Sequence, residues 1–344
     1  MTTPSVPSKS SEVGREQRQP PGCGDRRYHQ ICFAATRFAT IGESGRNYLG
    51  SHRLDELVAS TMKNCTMNGR FQLPYFDSYD GTRMHYQDWG SGRPVVFMAG
   101  AWLSSSSWEL QMLPLSRQGL RCLSYDRRGH GKSDRAGHGY DFDTLSDDLA
   151  AFLEHLDLRD VVVVAHSMGG GELVRYLTRH GSERIERIAL ISSTLPFPAQ
   201  AADNPDGVPK DVVDMINAVR AADRPLWMEQ NAQAFFATHL GNQVSSARIA
   251  WMQQQCMDCS LLASDELLES VFTTDFRSEL RDITVPTLTI HGDADASAPI
   301  EICGRKTRDL VPGNIYTEYP ATGHGIFISH AEQINADIMD FIKS

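Results

Sequence analysis

The chain has 344 residues, of which 41% are hydrophobic and 22% are charged, and its formal net charge at pH 7 is −10. This composition is that of a globular protein, and the negative charge argues against nucleic acid or an anionic membrane as the main partner. No apolar run approaches the roughly 18 residues of a membrane span, and the length allows one large domain with an appendage or two domains.

The cysteines bear on the compartment and on metal binding. There are seven of them at irregular spacings, and this odd number argues against a disulfide scaffold and favours a reducing cytoplasm. Cys256 and Cys259 form one C-x-x-C pair, but no second pair or His-x-x-x-His pattern accompanies it. We therefore interpret both as packing or surface thiols, and the sequence predicts no metal site.

Residues 1–70 differ from the remainder of the chain. They are rich in Ser, Pro, Gly and Arg, and their charge balance is mildly basic, whereas the rest of the chain is acidic. They lack the basic, apolar and small-residue regions of a secretory signal peptide. Two interpretations remain open: a disordered N-terminal extension, or residues that precede a natural start at Met62 or Met67.

Regular patterning begins near residue 71 and alternates short strands with helices. Asp80-Gly81 separates two alternating runs, 75–78 and 82–87, which is a hairpin signal. Further strands are predicted over 94–98, 121–125, 161–165 and 188–191, and helices over 107–113, 144–156 and 172–178. Strands that alternate with helices predict right-handed crossovers and a mostly parallel sheet.

The alternation stops after Ser193. Residues 197–283 contain no convincing strand, and we predict that they form a helical cap inserted into a core of residues 71–196 and 284–344. Helical patterning within the cap covers 211–220, 226–240 and 265–272. The core is completed by two predicted strands, 287–290 and 315–319, and two predicted helices, 299–310 and 331–342. The cap is rich in Met, Trp and Phe, with Met228 and Met252 among them. Because insertions at the carboxyl edge of an open sheet cover the site there, some of these side chains should face a pocket.

A serine lies at the sharp turn after the 161–165 strand. Ala165-His166-Ser167-Met168-Gly169 matches the nucleophile-elbow pattern G-x-S-x-G, with Ala165 in its first position. Small residues suit so tight a turn, and the Met168 N–H is left free at a helix N-terminus, where it can stabilise an oxyanion. Taken alone, the match also fits a glycine-rich turn that binds phosphate.

The loops after later strands supply the partners that such a serine needs. A serine nucleophile requires a histidine base oriented by a carboxylate, and in doubly wound hydrolases the acid precedes the histidine. Asp293 and Asp295 follow one predicted strand, and His324 follows the next. We favour Asp295 as the acid because it lies farther from the strand, whereas Asp293 is better placed to brace the turn. The loop after the 94–98 strand should supply a second oxyanion donor, the Ala101 N–H.

Several motifs together resemble one enzyme superfamily. They are the runs 126–134 (DRRGHGKSD), 140–143 (YDFD), 165–172 (AHSMGGGE), 274–277 (TDFR), 291–295 (HGDAD) and 323–325 (GHG). With them the chain resembles the α/β-hydrolase superfamily, and more narrowly the bacterial aryl esterases of the cofactor-free haloperoxidase and perhydrolase group. The resemblance covers residue 71 to the end. It implies an α/β-hydrolase fold, with a mostly parallel eight-stranded sheet flanked by helices and a helical cap insertion, and it implies Ser167, Asp295 and His324 as the catalytic triad.

Two positions depart from what is usual in that group. Relatives usually carry His-Gly before the oxyanion residue, where this chain has Ala99-Gly100. Members with strong peracid activity often carry Pro just after the oxyanion residue, where this chain has Trp102. Trp102 therefore argues against perhydrolysis as the main activity, and we expect it to line the substrate pocket together with Trp227 and Phe235.

The sequence therefore predicts a cofactor-independent serine hydrolase in the cytoplasm that cleaves a carboxylic ester or lactone through an acyl-enzyme. One alternative is a perhydrolase or cofactor-free haloperoxidase that uses the same triad. Another is a ligand-binding receptor with little turnover. A small-molecule ester or lactone is the expected partner, and the sequence leaves the oligomeric state open.

Overall fold

A computed structural model of the chain describes residues 74–344. The N-terminal extension predicted for residues 1–70 lies outside the described residues, and so do both interpretations of it. Within the described part, eight strands form one sheet, and eleven α-helices connect or follow them.

The eight strands build the sheet around which the site is arranged. In chain order they are β1 (Tyr75–Asp77), β2 (Arg83–Gly90), β3 (Arg93–Met98), β4 (Leu120–Tyr125), β5 (Val161–His166), β6 (Ile185–Ile191), β7 (Thr287–Gly292) and β8 (Ile315–Tyr319). Their order across the sheet is β1-β2-β4-β3-β5-β6-β7-β8. The pairs β1·β2 and β2·β4 are antiparallel, and all the others are parallel. The prediction of a mostly parallel eight-stranded sheet is confirmed.

The helices cover the sheet and fill the long connection between β6 and β7. In chain order they are α1 (Glu109–Ser116), α2 (Phe142–His155), α3 (Gly169–His180), α4 (Lys210–Ala222), α5 (Arg224–Phe236), α6 (Ser246–Asp258), α7 (Leu261–Thr273), α8 (Arg277–Arg281), α9 (Gly304–Leu310), α10 (Ile326–Ser329) and α11 (Ala331–Lys343). Helix α9 begins later than the predicted 299–310, because the Pro299 carbonyl first closes tight turns with the N–H groups of Ile302 and Cys303.

The centre of the sheet is buried on both faces, as the run of valines predicts. In β5, Val161 and Val163 pack into the hydrophobic core on one face of the sheet, and Val162 and Val164 pack into the core on the other. Side chains alternate along a strand, so a strand that is apolar at every position needs cover on both faces. Helices α2 and α3 contribute to the first core, and α1 and α11 contribute to the second.

Helices α4 to α8 occupy residues 210–281, between β6 and β7. They are joined to both cores: Leu267 of α7 belongs to one of them, and Met252 of α6 belongs to the other. None of the helices described in residues 74–344 is both long and apolar enough to span a membrane. This helical segment therefore packs against the hydrophobic cores on both faces of the sheet.

Candidate active site

Ser167 occupies a sharp turn between β5, which ends at His166, and α3, which begins at Gly169. Its φ is 56°, in the left-handed region that residues other than glycine rarely adopt. The turn is closely packed, because a methyl group built at Gly170 would lie 2.2 Å from Ser193 Oγ. Small residues are therefore required around Ser167, and its side chain stands at the carboxyl end of a central strand.

His324 and Asp295 join Ser167 in a hydrogen-bonded chain. His324 Nε2 lies 3.0 Å from Ser167 Oγ, and His324 Nδ1 lies 2.7 Å from Asp295 Oδ2. Asp295 comes from the loop after β7 and His324 from the loop after β8, so both reach the sheet edge where β5 ends. The other candidate acid, Asp293, is exposed, and its backbone N–H donates to Tyr319 O. The structure thus brings together the three residues that the sequence predicts as a triad.

The surroundings of Asp295 keep this carboxyl group ionised. Burial opposes the charged form, but His324 and His291 outweigh it and hold the pKa of Asp295 well below its usual range. Asp295 Oδ1 also accepts the backbone N–H groups of Ser297, at 2.9 Å, and Ala298, at 2.8 Å. An ionised carboxylate at this position favours the tautomer of His324 with hydrogen on Nδ1, which leaves Nε2 free to accept a proton.

His166 supports the loop that carries His324. Its Nε2 lies 3.0 Å from the His324 carbonyl oxygen, and the centroids of the two rings are 4.7 Å apart. Burial, together with the nearby His324, lowers the pKa of His166 well below its usual value. The neutral ring therefore donates its Nε2–H to the loop. Its position directly before Ser167 was the one signal of this role in the sequence.

Two backbone N–H groups beside Ser167 are free to bind an oxyanion. Among residues 74–344, neither the Ala101 N–H nor the Met168 N–H donates to a protein acceptor, and both residues line the same cavity as Ser167. Gly100 lets the loop after β3 come close: a methyl group built there would lie 2.7 Å from His166 Nδ1 and 3.1 Å from Ser167 Cβ. The structure thus brings the two residues predicted as oxyanion donors to the cavity that contains Ser167.

Gly100→Ala should disturb the junction of the two loops. Because the added methyl group would overlap the buried His166 ring, we expect a loss of about 1–3 kcal/mol in the free energy of unfolding and a lower kcat. Urea denaturation and steady-state kinetics measure the two effects. Gly137→Ala is the matched control, since a methyl group at Gly137 meets nothing within 4 Å. Equal stability of the two variants would contradict the close approach of Gly100 to His166.

A cavity of about 290 Å³ opens in front of Ser167. Its lining is mostly apolar and includes all three side chains predicted for the pocket, Trp102, Trp227 and Phe235. The rings of Trp102 and Trp227 meet edge to face with centroids 5.6 Å apart, and the Phe235 ring lies 5.3 Å from that of His324. Met228 and Met252, two of the methionines in the helical insertion, also line the cavity, and so does Val213, which the sequence did not single out.

The thiols of the C-x-x-C pair lie near this cavity. Cys256 and Cys259 are free, Cys256 lines the cavity, and Cys259 Sγ lies 3.4 Å from His130 Nε2. Burial raises the pKa of each thiol to about 12, so both are protonated near neutral pH. Across residues 74–344, no group of three or more His, Cys, Asp or Glu side chains is arranged to hold a metal ion.

The sequence and fold match known proteins. Residues 93–331 match the family model described as the alpha/beta hydrolase fold. The chain belongs to the α/β-hydrolase family. It is 39% identical over 274 residues to a non-heme haloperoxidase of Rhodococcus erythropolis, an alignment that covers 79% of this chain and 100% of that protein. It is 36% identical over 277 residues to a bifunctional esterase/perhydrolase of Acinetobacter calcoaceticus, again with 79% and 100% covered.

Solved structures of α/β hydrolases superpose well on this one. A bromoperoxidase from Bacillus anthracis has a TM-score of 0.74 at 32% identity, covering 78% of this chain and 99% of that chain. An esterase from Exiguobacterium antarcticum has a TM-score of 0.75 at 29% identity, with the same coverage. The predicted resemblance to α/β hydrolases, and within them to the esterase and haloperoxidase group, is therefore confirmed.

In this α/β hydrolase the loop that carries Ala101 is anchored from the loop after β4. Asp126 Oδ1 accepts the Ser105 N–H at 2.7 Å, and Asp126 Oδ2 lies 3.1 Å from His85 Nδ1. Burial opposes ionisation of Asp126, but these hydrogen bonds prevail and lower its pKa. One end of the loop that carries Ala101 is thus fixed by a buried carboxylate, even though Ala99 replaces the histidine expected in this group.

Proposed function

We propose that this α/β hydrolase is a cofactor-independent serine hydrolase that cleaves a carboxylic ester or lactone. The observation that carries the proposal is the hydrogen-bonded chain in the cavity, with 3.0 Å from Ser167 Oγ to His324 Nε2 and 2.7 Å from His324 Nδ1 to Asp295 Oδ2. Two of the relatives named above, the bifunctional esterase/perhydrolase and the esterase, support the same chemistry. None of the relatives named above is described as a receptor.

In the acylation half of the proposed reaction, Ser167 Oγ attacks the ester carbonyl carbon while His324 Nε2 takes the hydroxyl proton. The N–H groups of Ala101 and Met168 bind the negative charge that develops on the carbonyl oxygen. The ionised Asp295 stabilises the imidazolium. His324 then gives its proton to the leaving alcohol oxygen as the C–O bond breaks, and the acyl group stays on Ser167.

In the deacylation half, a water molecule attacks the acyl carbonyl carbon while His324 accepts one of its protons. The same two N–H groups bind the second oxyanion. Collapse of this intermediate releases the carboxylic acid, and His324 returns the proton to Ser167 Oγ. Every proton and electron pair in this cycle comes from the ester, from water or from the three side chains, so the proposal requires no cofactor.

A panel of esters tests the proposed activity. The purified full-length chain is assayed with p-nitrophenyl acetate, p-nitrophenyl butyrate, phenyl acetate and γ-butyrolactone, and we expect saturable turnover of at least the aryl esters. A fluorophosphonate probe should label Ser167, as read by peptide mass spectrometry. If no ester is turned over and Ser167 is not labelled, the hydrolase proposal fails and the receptor alternative replaces it.

Perhydrolysis is the second candidate function. The bifunctional esterase/perhydrolase and the haloperoxidase among the relatives favour it, because hydrogen peroxide in place of water would convert the acyl-enzyme to a peracid. Trp102 argues against it as the main activity. Peracid formation from acetate and hydrogen peroxide, detected through bromide oxidation, should be slower than hydrolysis of p-nitrophenyl acetate. The reverse order of rates would make perhydrolysis the primary function.

Trp227→Ala should change which ester is preferred. The side chain lines the cavity against Trp102, and its loss would make room for a longer or branched acyl group. We expect the ratio of kcat/KM for p-nitrophenyl octanoate over acetate to rise about tenfold or more. Trp251→Ala is the control, since Trp251 lies in the same helical insertion and outside the cavity lining. An unchanged ratio in Trp227→Ala would remove Trp227 from the specificity pocket.

We also propose that residues 197–283 act as a cap on a core formed by residues 71–196 and 284–344. The cavity supports this division, because Ser167 comes from the core and Trp227 comes from the insertion. Limited proteolysis should cut first near the ends of the insertion.

The cytoplasm is the proposed location of the enzyme. The cysteines Cys122, Cys256, Cys259 and Cys303, within residues 74–344, are free thiols, which fits a reducing compartment. The net charge of −10 also fits a small-molecule substrate better than nucleic acid or an anionic membrane. Fractionation of cells that express the full chain tests the location.

A further inference from the structure

A buried ion pair lies behind the loop that carries Ala101. Arg127 Nη2 donates to Ala99 O over 2.8 Å, and Arg127 Nη1 donates to Gly100 O over 3.3 Å. Arg127 Nε donates to Glu172 Oε1 over 2.6 Å. Arg127 is 4% exposed and Glu172 is fully buried. One guanidinium group therefore binds both the oxyanion loop and the first turn of α3, the helix that follows the nucleophile.

The Gly100 carbonyl and the Ala101 N–H belong to the same peptide group. In a planar trans peptide the C=O and N–H point in opposite directions and cannot turn independently. A donor on the Gly100 oxygen therefore fixes the direction of the Ala101 N–H, and it also polarises that N–H. Among the described residues, the one other donor to this oxygen is the Leu103 N–H, at 3.4 Å. The direction of the Ala101 N–H thus depends on two long hydrogen bonds, of which the one from Arg127 is charge-assisted.

The second oxyanion peptide is held differently. The Met168 N–H shares its peptide with the Ser167 carbonyl, which accepts the Gly170 N–H at 3.1 Å and the Ser193 hydroxyl at 3.1 Å. A further donor, the Thr194 N–H, lies 3.4 Å away. Two backbone N–H groups therefore hold the Met168 peptide whatever happens to one side chain. Substitution of Arg127, in contrast, leaves the Gly100 oxygen with only the Leu103 N–H, at 3.4 Å, among the described residues.

Glu172 keeps the guanidinium in place. Burial raises the pKa of Glu172 to about 7, and Arg127 opposes this by favouring the carboxylate. Asp148 and Tyr125 also face this carboxyl group, and neither of them is a cation. Within the described residues, Glu172 Oε2 has no hydrogen-bond partner. Arg127 and Glu172 therefore depend on each other, because removal of either one would leave the other buried without its partner.

We propose that Arg127, held by Glu172, is a positioning residue that aims the Ala101 N–H at the oxyanion of the tetrahedral intermediate. The inference rests on the proposed serine hydrolase function. It makes the orientation of the Ala101 N–H depend on a side chain that touches neither the substrate nor the triad. Loss of Arg127 should therefore reduce stabilisation of the transition state and leave substrate binding nearly unchanged.

Arg127→Lys tests this role while it preserves the charge beside Glu172. A lysine presents one ammonium group and cannot bind Ala99 O, Gly100 O and Glu172 as the planar fork does. With p-nitrophenyl butyrate we expect kcat to fall about 10- to 100-fold and KM to change by less than about threefold. The fall is smaller than the loss of about 10²–10³-fold in kcat that follows complete removal of one oxyanion donor, because the donor is misdirected and not removed. An aryl trifluoromethyl ketone forms a tetrahedral adduct with Ser167 that resembles the intermediate. Its apparent Ki should therefore rise by the same factor by which kcat/KM falls.

The double variant Arg127→Met/Glu172→Met removes the pair without leaving a buried charge. Replacement of a buried ion pair by apolar side chains usually preserves the fold, so we expect a folded chain whose kcat is about 10²–10³-fold lower. If this variant folds and keeps its kcat and its ketone Ki, the pair is merely structural and the proposal is overturned. If it does not fold, Arg127→Lys decides by the same two readouts.

Arg128→Lys is the matched control. Arg128 is the neighbouring buried arginine, but it pairs with Asp148 and Asp80, away from the oxyanion loop. We expect its kcat to stay within about twofold of wild type, because no oxyanion donor depends on it. A loss equal to that of Arg127→Lys would overturn the specific role. Absence of ester turnover in the wild-type chain would instead contradict the proposed function on which the inference depends.

Discussion

Ser167→Ala should lower kcat for aryl ester hydrolysis by about 10⁶-fold, because it removes the nucleophile and with it the acyl-enzyme route. The remaining rate would come from the oxyanion donors and from binding alone. KM for p-nitrophenyl butyrate should change little, since the cavity lining is untouched. Steady-state kinetics at high enzyme concentration measure the residual rate, and circular dichroism confirms the fold.

Ser106→Ala is the control for Ser167→Ala. Ser106 is an exposed serine in the short 3₁₀-helix Ser105–Trp108 beyond the oxyanion loop, and its loss should leave kcat unchanged. If Ser167→Ala retained wild-type turnover while folded, Ser167 would not be the nucleophile, and the hydrogen bond from its hydroxyl to His324 would have no catalytic meaning.

Asp295→Asn should lower kcat by about 10⁴-fold. The Asn amide group can donate to His324 Nδ1, which favours the tautomer with hydrogen on Nε2, and that tautomer cannot accept the Ser167 proton. The loss also removes the carboxylate that stabilises the imidazolium. The two backbone N–H donors on Oδ1 can still bind the Asn carbonyl oxygen, so the loop should keep its shape. Kinetics with p-nitrophenyl butyrate and a thermal melt measure the effect.

Asp293→Asn separates the role of Asp295 from a general loss of charge. The two side chains are two residues apart in one loop, but Asp293 is exposed and Asp295 is 4% exposed. Asp293→Asn should therefore keep its kcat within about twofold, because an exposed charge is screened by solvent. If Asp293→Asn lost activity and Asp295→Asn did not, the acid would be assigned to the wrong residue.

The fold and the three site residues could be predicted because the order of strands and loops along the chain determines which loops meet in the folded protein. A strand that is apolar at every position, 161–165, must be covered on both faces, which indicates a parallel sheet with helices on each side. Carboxyl ends of parallel strands share one edge, so loops after successive strands converge there. Asp295 and His324 could therefore be placed beside Ser167 without knowledge of any distance.

The support around the site could not be predicted in the same way. The three acceptors of Arg127, which are Ala99 O, Gly100 O and Glu172, lie 28, 27 and 45 residues away from it, and two of them are carbonyls that every residue possesses. No sequence pattern marks such acceptors. The hydrogen bond from His166 to the His324 carbonyl is hidden for the same reason, since only the folded loop brings that oxygen into reach.

The helical insertion shows a different limit of sequence reasoning. The spacing of apolar residues predicted that the insertion is helical. Which side chains face the cavity depends, however, on how each helix is rotated and tilted in the fold. Trp227 and Phe235 of α5 line the cavity as expected, whereas Val213 of α4 also lines it and carries no signal that separates it from ordinary core residues. The substrate preference therefore depends on which side chains line the cavity, and the spacing of apolar residues does not identify them.

Trapping of the acyl-enzyme would identify the nucleophile directly. The wild-type chain is mixed with excess p-nitrophenyl butyrate, quenched in acid within the first turnovers, and digested for peptide mass spectrometry. We predict a butyryl group on the peptide that contains Ser167, together with a burst of p-nitrophenol that approaches one equivalent per chain when deacylation is the slower step. An acyl group on another residue of the wild-type chain would contradict the assignment of Ser167 as the nucleophile. Steady turnover by Ser167→Ala, with no acyl group on the corresponding peptide, would contradict it as well.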